Sequence, residues 1–365
     1  MHAKSFFQLF LMSLLGSNLS NEIAIVSSEA ELRGGDSLPP TPPTTNKVNV
    51  LIIMADDFRT ADLYPYAADP LELPNLRGLA DGSTAFKAST VYPVCAPSRS
   101  AFITGVDYPN TITFDQNFFQ LSLESMLGSV RKLGSYYVGM HGKVIHEYNE
   151  DLKKQLFYRM NQTNVPRLPT TSGNTDCGKQ LGCVIAKNKL SDNDVTNTGL
   201  KFLDTANNLI EQHIFENFFL ILGFHRPHIE TASFKKNPIF YTKALPDIAE
   251  PSINTNGNPA LAHRTCDELN AFRLGAKKII SGNIKTADDI TSSVKLTGDI
   301  RGLYFDALFT TDYYIGIFLN KIDKLGFKNN TIIIFTADHG FSLGEKNLWC
   351  KNTLYEEATD MIYPH

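Results

Sequence analysis

Four short apolar runs, set between amphipathic and polar stretches, organise this chain. Residues 48–55 read Val-Asn-Val-Leu-Ile-Ile-Met-Ala, apolar or β-branched at every position except Asn49, and residues 136–140, 218–222 and 331–336 repeat the theme. A strand that is apolar on both faces belongs inside a parallel sheet with helices on each side. Between these runs the 3.6-residue spacing predicts helices. A short one opens with Pro-Asn-Leu over 74–80. A second covers 122–133 through Leu123, Met126, Leu127 and Val130, with Ser122 as its cap and Gly134 as its stop. A third runs over 198–214 through Leu200, Leu203, Ala206 and Ile210. A long amphipathic one spans 298–325 with Leu303, Leu308, Ile315 and Leu319 among its apolar positions. Strands alternating with helices in this way predict an α/β fold with a large, mostly parallel central sheet and helices on both faces. Residues 156–191 are polar and irregular and predict a surface excursion, and 232–290 carries few periodic segments.

The ends of the chain change this picture in two ways. Lys4, an apolar run over 6–15 and small residues at 16–20 have the outline of a secretory signal peptide, too short to span a bilayer. Residues 21–47 are polar and end in a stiff proline-rich lead-in, so the folded domain is expected over 48–365. No second apolar run reaches spanning length, which predicts a protein without a membrane span, placed in the secretory pathway. The acceptor triplets at Asn161 and Asn329 agree with that compartment. Of five cysteines, Cys177 and Cys183 are near enough to bridge, whereas any pairing of Cys266 and Cys350 is not legible. A net charge of −4 and the lack of a basic run speak against nucleic-acid binding.

The candidate chemistry sits at the C-terminal ends of the predicted strands, where open α/β sheets bind ligands. The first strand ends in Asp56-Asp57, and adjacent carboxylates are commonly brought together by a divalent cation. The second leads to Lys143 and His146, the third to His225 and His228, and the last to Asp338-His339. Between the first two strands stands Cys95-Ala96-Pro97-Ser98-Arg99, closed by Thr104-Gly105.

That cysteine motif, together with the aspartate pair and the Pro-Asn helix before it, resembles type I sulfatases. The resemblance runs from Val48 to the end of the chain. It implies an alkaline phosphatase-like sandwich, with a smaller C-terminal domain that family members carry beyond the point matching His365. It also implies that Cys95 is oxidised before folding to formylglycine by a formylglycine-generating enzyme. The resulting aldehyde hydrates to a diol that serves as nucleophile. Asp56, Asp57, Cys95, Asp338 and His339 would hold one divalent cation, Ca2+ by family expectation. Arg99, one helical turn from Cys95, would steady the diol. Lys143, His225, His228 and Lys351 would bind the substrate, and His146 would donate the proton to the leaving alcohol or act as the base that collapses the sulfated diol.

Gly142-Lys143-Val144-Ile145-His146, His225-Arg226-Pro227-His228 and Asp338-His339 resemble the subgroup acting on iduronate 2-sulfates. The implied substrate is the 2-sulfate of iduronate in heparan or dermatan sulfate, and the implied location is lysosomal or secreted. Choline sulfate or another sulfated glycan is the alternative within the family. Outside it stand a phosphatase or phosphodiesterase of the same superfamily, and a truncated binding protein without activity.

Overall fold

The computed structural model describes residues 48–59, 73–90, 92–106, 125–145, 183–185, 192–228, 290, 293–345 and 348–364. Its centre is a five-stranded sheet. The strands are β1 (Asn49–Asp56), β3 (Tyr136–Gly142), β4 (Cys183–Ile185), β5 (Asn217–Pro227) and β6 (Thr331–Ala337), in the order β4-β3-β5-β1-β6 with all neighbours parallel. All eight residues of β1 are buried, as its apolar run predicts. Asn49, the one polar residue in that run, is buried because its Oδ1 accepts the Phe218 amide at 3.0 Å.

Alternate residues of each strand feed two cores, one on each face. Leu51, Ile53, Phe218, Leu220 and Phe335 pack beneath α4 (Asp192–Glu211) and α5 (Val294–Lys324), while Val50, Ile52, Phe219, Ile221 and Ile334 pack against α2 (Cys95–Thr104) and α3 (Met126–Lys132). The α/β architecture is therefore the expected one. Residue by residue, several boundaries move. The helix predicted over 122–133 starts at Met126, and its cap is Ser125, whose hydroxyl accepts the Gly128 amide at 3.1 Å. The helix predicted over 198–214 begins earlier, at Asp192. Within the expected excursion at 156–191, Cys183–Ile185 joins the sheet as its edge strand β4.

Helix α1 (Pro74–Asp81) has no side-chain cap of its own. Asp312 of α5 supplies one from across the fold: its carboxylate accepts the Leu76 amide at 2.8 Å and the Asn75 amide at 3.3 Å, and it also holds the Asn75 side chain at 2.8 Å. Gly316 lets the two helices approach, since a Cβ there would lie 2.4 Å from Asn75 Oδ1. Among the described residues, two small antiparallel pairs accompany the central sheet. One joins β2 (Ala85–Ser89) to β9 (Asp360–Pro364), which follows the short helix α6 (Glu356–Thr359), and the other joins β7 (Ser342–Leu343) to β8 (Trp349–Cys350). Among the described residues no helix is long and apolar enough to cross a membrane. The signal-peptide and lead-in segments, Cys177, Cys266 and the Asn161 triplet lie outside the described residues, while Asn329 is exposed. Cys350 is disulfide-bonded.

Candidate active site

Parallel register brings the ends of β1, β3, β5 and β6 to one edge of the sheet. Asp56 aligns with Pro227, Ala55 with Ala337 and Gly142 with Gly223, so Asp56, Lys143, His228 and Asp338 emerge side by side. The chain tightens there. Asp57 has a left-handed φ of 63°, a costly conformation for a residue with a Cβ. It is held by the Tyr304 hydroxyl donating to its carbonyl at 2.6 Å and by its own amide donating to Asp338 Oδ1 at 3.2 Å. Lys143 is fixed through the Gly142–Gly223 contact. Its amide donates to Gly223 O at 2.8 Å, and a Cβ on Gly223 would fall 2.2 Å from the Lys143 carbonyl carbon.

Cys95 enters from above as the first residue of α2, where the helix end favours negative charge. Four groups surround its Sγ: Lys351 Nζ at 3.1 Å, His339 Nε2 and Asp56 Oδ1 each at 3.4 Å, and Lys143 Nζ at 3.8 Å. Asp56, Asp57, Cys95 and His339 place one ligand atom each within 4.8 Å of one another, all buried. Lys351 also reaches Asp57 Oδ1 at 2.8 Å, Lys143 pairs with Asp56, and His228 Nε2 stands 4.0 Å from Asp57 Oδ2. These residues are the ones singled out from the sequence, and the fold brings them together.

Arg99 and Asp338 make buried contacts with the rest of the cluster. Arg99 is fully buried beneath the cluster, donating through Nε to Asp338 Oδ2 at 2.8 Å and through Nη1 to the Lys143 carbonyl, with Nη2 3.2 Å from Asp56 Oδ1. It braces the carboxylates and Lys143 from below. Asp338 turns its carboxylate toward Arg99 and the Asp57 amide, and its Oδ2 lies 3.5 Å from His339 Nε2. His225 sits on β5 with its amide donating to Asp192, and His146 lies outside the described residues.

Charge crowding governs the electrostatics. Burial and the neighbouring Asp56 push the Cys95 thiol up, but Lys351, Lys143 and His339 outweigh them and hold it well below its ordinary value. Burial likewise works against the charge on Asp56, which Lys143 and Arg99 nevertheless keep well below the carboxylate range. Burial drives Asp57 up to about 8 against the pull of Lys351, with Asp56 adding to the rise. Burial raises Asp338 to about 6 despite Arg99. Burial also opposes the charge on His339, yet Asp338 lifts it to about 9, whereas His228 is lowered by burial to about 3 and stays neutral. Asp56, Asp57 and Asp338 face Lys143, Lys351, Arg99 and a charged His339 here, and Asp57 still retains its proton near neutrality. A divalent cation fits this set: it would relieve Asp57, whose buried Oδ2 accepts no hydrogen bond, and leave an excess of positive charge for an anion.

Several supporting residues were not legible as part of the site. Tyr304 comes from the middle of α5, and its hydroxyl also accepts the Arg59 amide at 3.0 Å. Glu345 receives Arg59 at 2.6 Å and the Leu343 amide at 2.8 Å, which ties the β7–β8 hairpin carrying Lys351 to the end of β1. Asp192 gathers the backbone before His228. No local pattern announces any of them, because each acts on residues distant in the chain.

Comparison with known proteins agrees with this geometry. Human iduronate 2-sulfatase is 26% identical over 369 residues, covering 94% of this chain and 62% of that protein. The choline-sulfatase of Rhizobium meliloti (strain 1021) is 26% identical over 339 residues, covering 86% of this chain and 61% of the relative. The chain thus spans somewhat over six-tenths of the length of these relatives. A solved structure of a 2-O GAG sulfatase superposes with a TM-score of 0.59 at 16% identity, over 87% of this chain and 63% of its own. The sulfatase family model matches residues 48–362, and the chain belongs to that family.

Proposed function

We propose that this chain is the catalytic portion of a sulfate-ester hydrolase in which Cys95, converted to formylglycine, is the nucleophile. The observation that carries the proposal is the convergence of Lys351, His339 and Lys143 on Cys95 Sγ beside a buried set of divalent-cation ligands. Asp56, Asp57, His339 and the modified side chain would hold the ion, with Asp338 beside them. Ca2+ suits the oxygen-rich set, and its chemistry there is Lewis-acid polarisation of the reacting oxygens. Lys143 and Lys351 hold the anionic ester through charge-assisted hydrogen bonds, and burial strengthens both. His228 is neutral, so it contributes a hydrogen bond without a charge. Arg99 keeps Asp56, Asp338 and Lys143 in place during turnover.

The substrate we infer is the 2-sulfate of iduronate in heparan or dermatan sulfate. It is supported by the similarity to human iduronate 2-sulfatase and by the Asp338-His339 and His225-Arg226-Pro227-His228 segments. The disulfide at Cys350 and the exposed acceptor triplet at Asn329 support passage through the secretory pathway to a lysosomal or secreted destination. Maturation there would require the formylglycine-generating enzyme.

The test is a mass spectrum of the Cys95 peptide from protein made in cells with that enzyme. It is paired with assays on 4-methylumbelliferyl sulfate and on an iduronate-2-sulfated disaccharide. Formylglycine with turnover of both is the expected result. Turnover of the aryl ester alone would remove the iduronate assignment, and turnover that survives Cys95→Ala would overturn the nucleophile.

A further inference from the structure

Asp192, the first residue of α4, is 1% exposed and lies outside the cluster around Cys95. Its carboxylate is nonetheless aimed at the strand end that delivers His228. Oδ1 accepts the His225 amide at 2.7 Å, and Oδ2 accepts the Arg226 amide at 3.2 Å and Arg226 Nη1 at 2.9 Å. Two consecutive backbone amides and one guanidinium thus meet on a single carboxylate, a stronger arrangement than neutral hydrogen bonds. Immediately beyond them Pro227 pairs in register with Asp56, and the His228 amide donates to Asp56 O at 3.0 Å. The path from α4 to the His228 imidazole is therefore a short run of fixed backbone.

We infer that Asp192 is a positioning residue that holds the His225–His228 turn so that the His228 ring faces Asp57 and the anion-binding lysines. Without both carboxylate oxygens the two amides lose their shared acceptor. The Arg226 side chain loses its partner at the same time, and the turn is free to move away from β1. The α4 helix itself is long, at 20 residues, and is anchored by Val195, Phe202, Leu203 and Ala206, so it survives the change.

The inference rests on the reading that the residues around Cys95 bind a sulfate ester, and the experiment separates the two. Asp192→Asn and His228→Ala are made singly and together, and kcat/KM for 4-methylumbelliferyl sulfate is measured for all four proteins. Asp192→Asn is expected to lower kcat/KM by about tenfold or more in the wild-type background, the scale of one charge-assisted hydrogen bond. In the His228→Ala background the loss is expected to be about twofold or less, because the group being positioned is gone. Equal losses in both backgrounds overturn the inference. A second readout needs no activity: diethylpyrocarbonate labelling followed by peptide mass spectrometry, with exposed His213 as the internal control. Labelling of His228 is expected to rise severalfold in Asp192→Asn while His213 is unchanged; an unchanged His228 overturns the inference. If the wild-type protein hydrolyses no sulfate ester, the proposed function fails and the labelling alone decides the role of Asp192. Should Asp192→Asn not fold, Asp192→Ser takes its place, and loss of the fold in both variants overturns the positioning role.

Discussion

Replacing His141 by leucine tests the energetics of the sheet. His141 is fully buried on β3, its ring edge-on to Phe202 at 5.8 Å, and neither ring nitrogen has a hydrogen-bond partner. Burial lowers its pKa from 6.5 to about 4. The imidazole is thus neutral in the folded protein at any pH above about 4, whereas the unfolded chain takes up a proton below 6.5. Between those limits the unfolded state binds more protons, so stability falls as pH falls. From pH 7.5 to 4.5 this one group costs about 2.5 kcal/mol, from a shift worth about 1.4 kcal/mol per unit. Leucine has similar bulk, no polar atoms to strand and no proton to bind. His141→Leu should therefore be at least as stable as the wild type near neutrality and should lose about 2.5 kcal/mol less on acidification. The assay is urea unfolding at both pH values, followed by fluorescence of Trp349, the only tryptophan of the chain and a buried one. All other titrating groups are common to the two proteins and cancel in the comparison. Identical pH dependence in wild type and variant would refute the reasoning.

Two further outcomes follow from the site. Gly223→Ala places a methyl group against the Lys143 backbone at 2.2 Å, where neither strand can yield freely. It is expected to lower kcat/KM for an aryl sulfate by about tenfold or more and stability by about 1–3 kcal/mol, read by turnover and urea unfolding. Asp57, held up at about 8 by burial, must lose its proton to solvent when a cation binds. Ca2+ binding at pH 7 should release about two protons, one from Asp57 and one from His339, which is lifted to about 9 and must be neutral to bind a metal, and should tighten as pH rises from 6 to 8. Calorimetry in buffers of different ionisation heat measures this, and pH-independent binding without proton release would count against Asp57 as a ligand.

The apolar runs made β1, β3, β5 and β6 legible, because a strand buried on both faces leaves little choice of residue. Lys143, His228 and the acidic pairs were legible as groups at predicted strand ends, whereas Cys95 and Lys351 were legible through the resemblance of their segments to type I sulfatases. The bracing was not. Arg99 stands out because it lies one turn along the helix from Cys95, and the fold adds a partner that the sequence does not announce, Asp338, 239 positions away. Tyr304 and Asp312 read as ordinary positions of an amphipathic helix, and only the fold shows that one props Asp57 and the other caps α1. The edge strand β4 escaped notice for another reason: at three residues it is too short for a period to show.

The contact between Lys351 and Cys95 joins positions 256 apart in the chain. During synthesis the Cys95 segment therefore exists without the residues that later enclose it. At about 5–20 residues per second, the interval before Lys351 is made amounts to roughly 13–50 seconds. Over that interval Cys95 lacks the buried cations that hold its thiol low, and the carboxylates of β1 lack both Asp338 and His339. The order of residues along the chain would thus give the modifying enzyme that the proposed function requires a period of open access to Cys95, which ends when the last strands of the domain arrive.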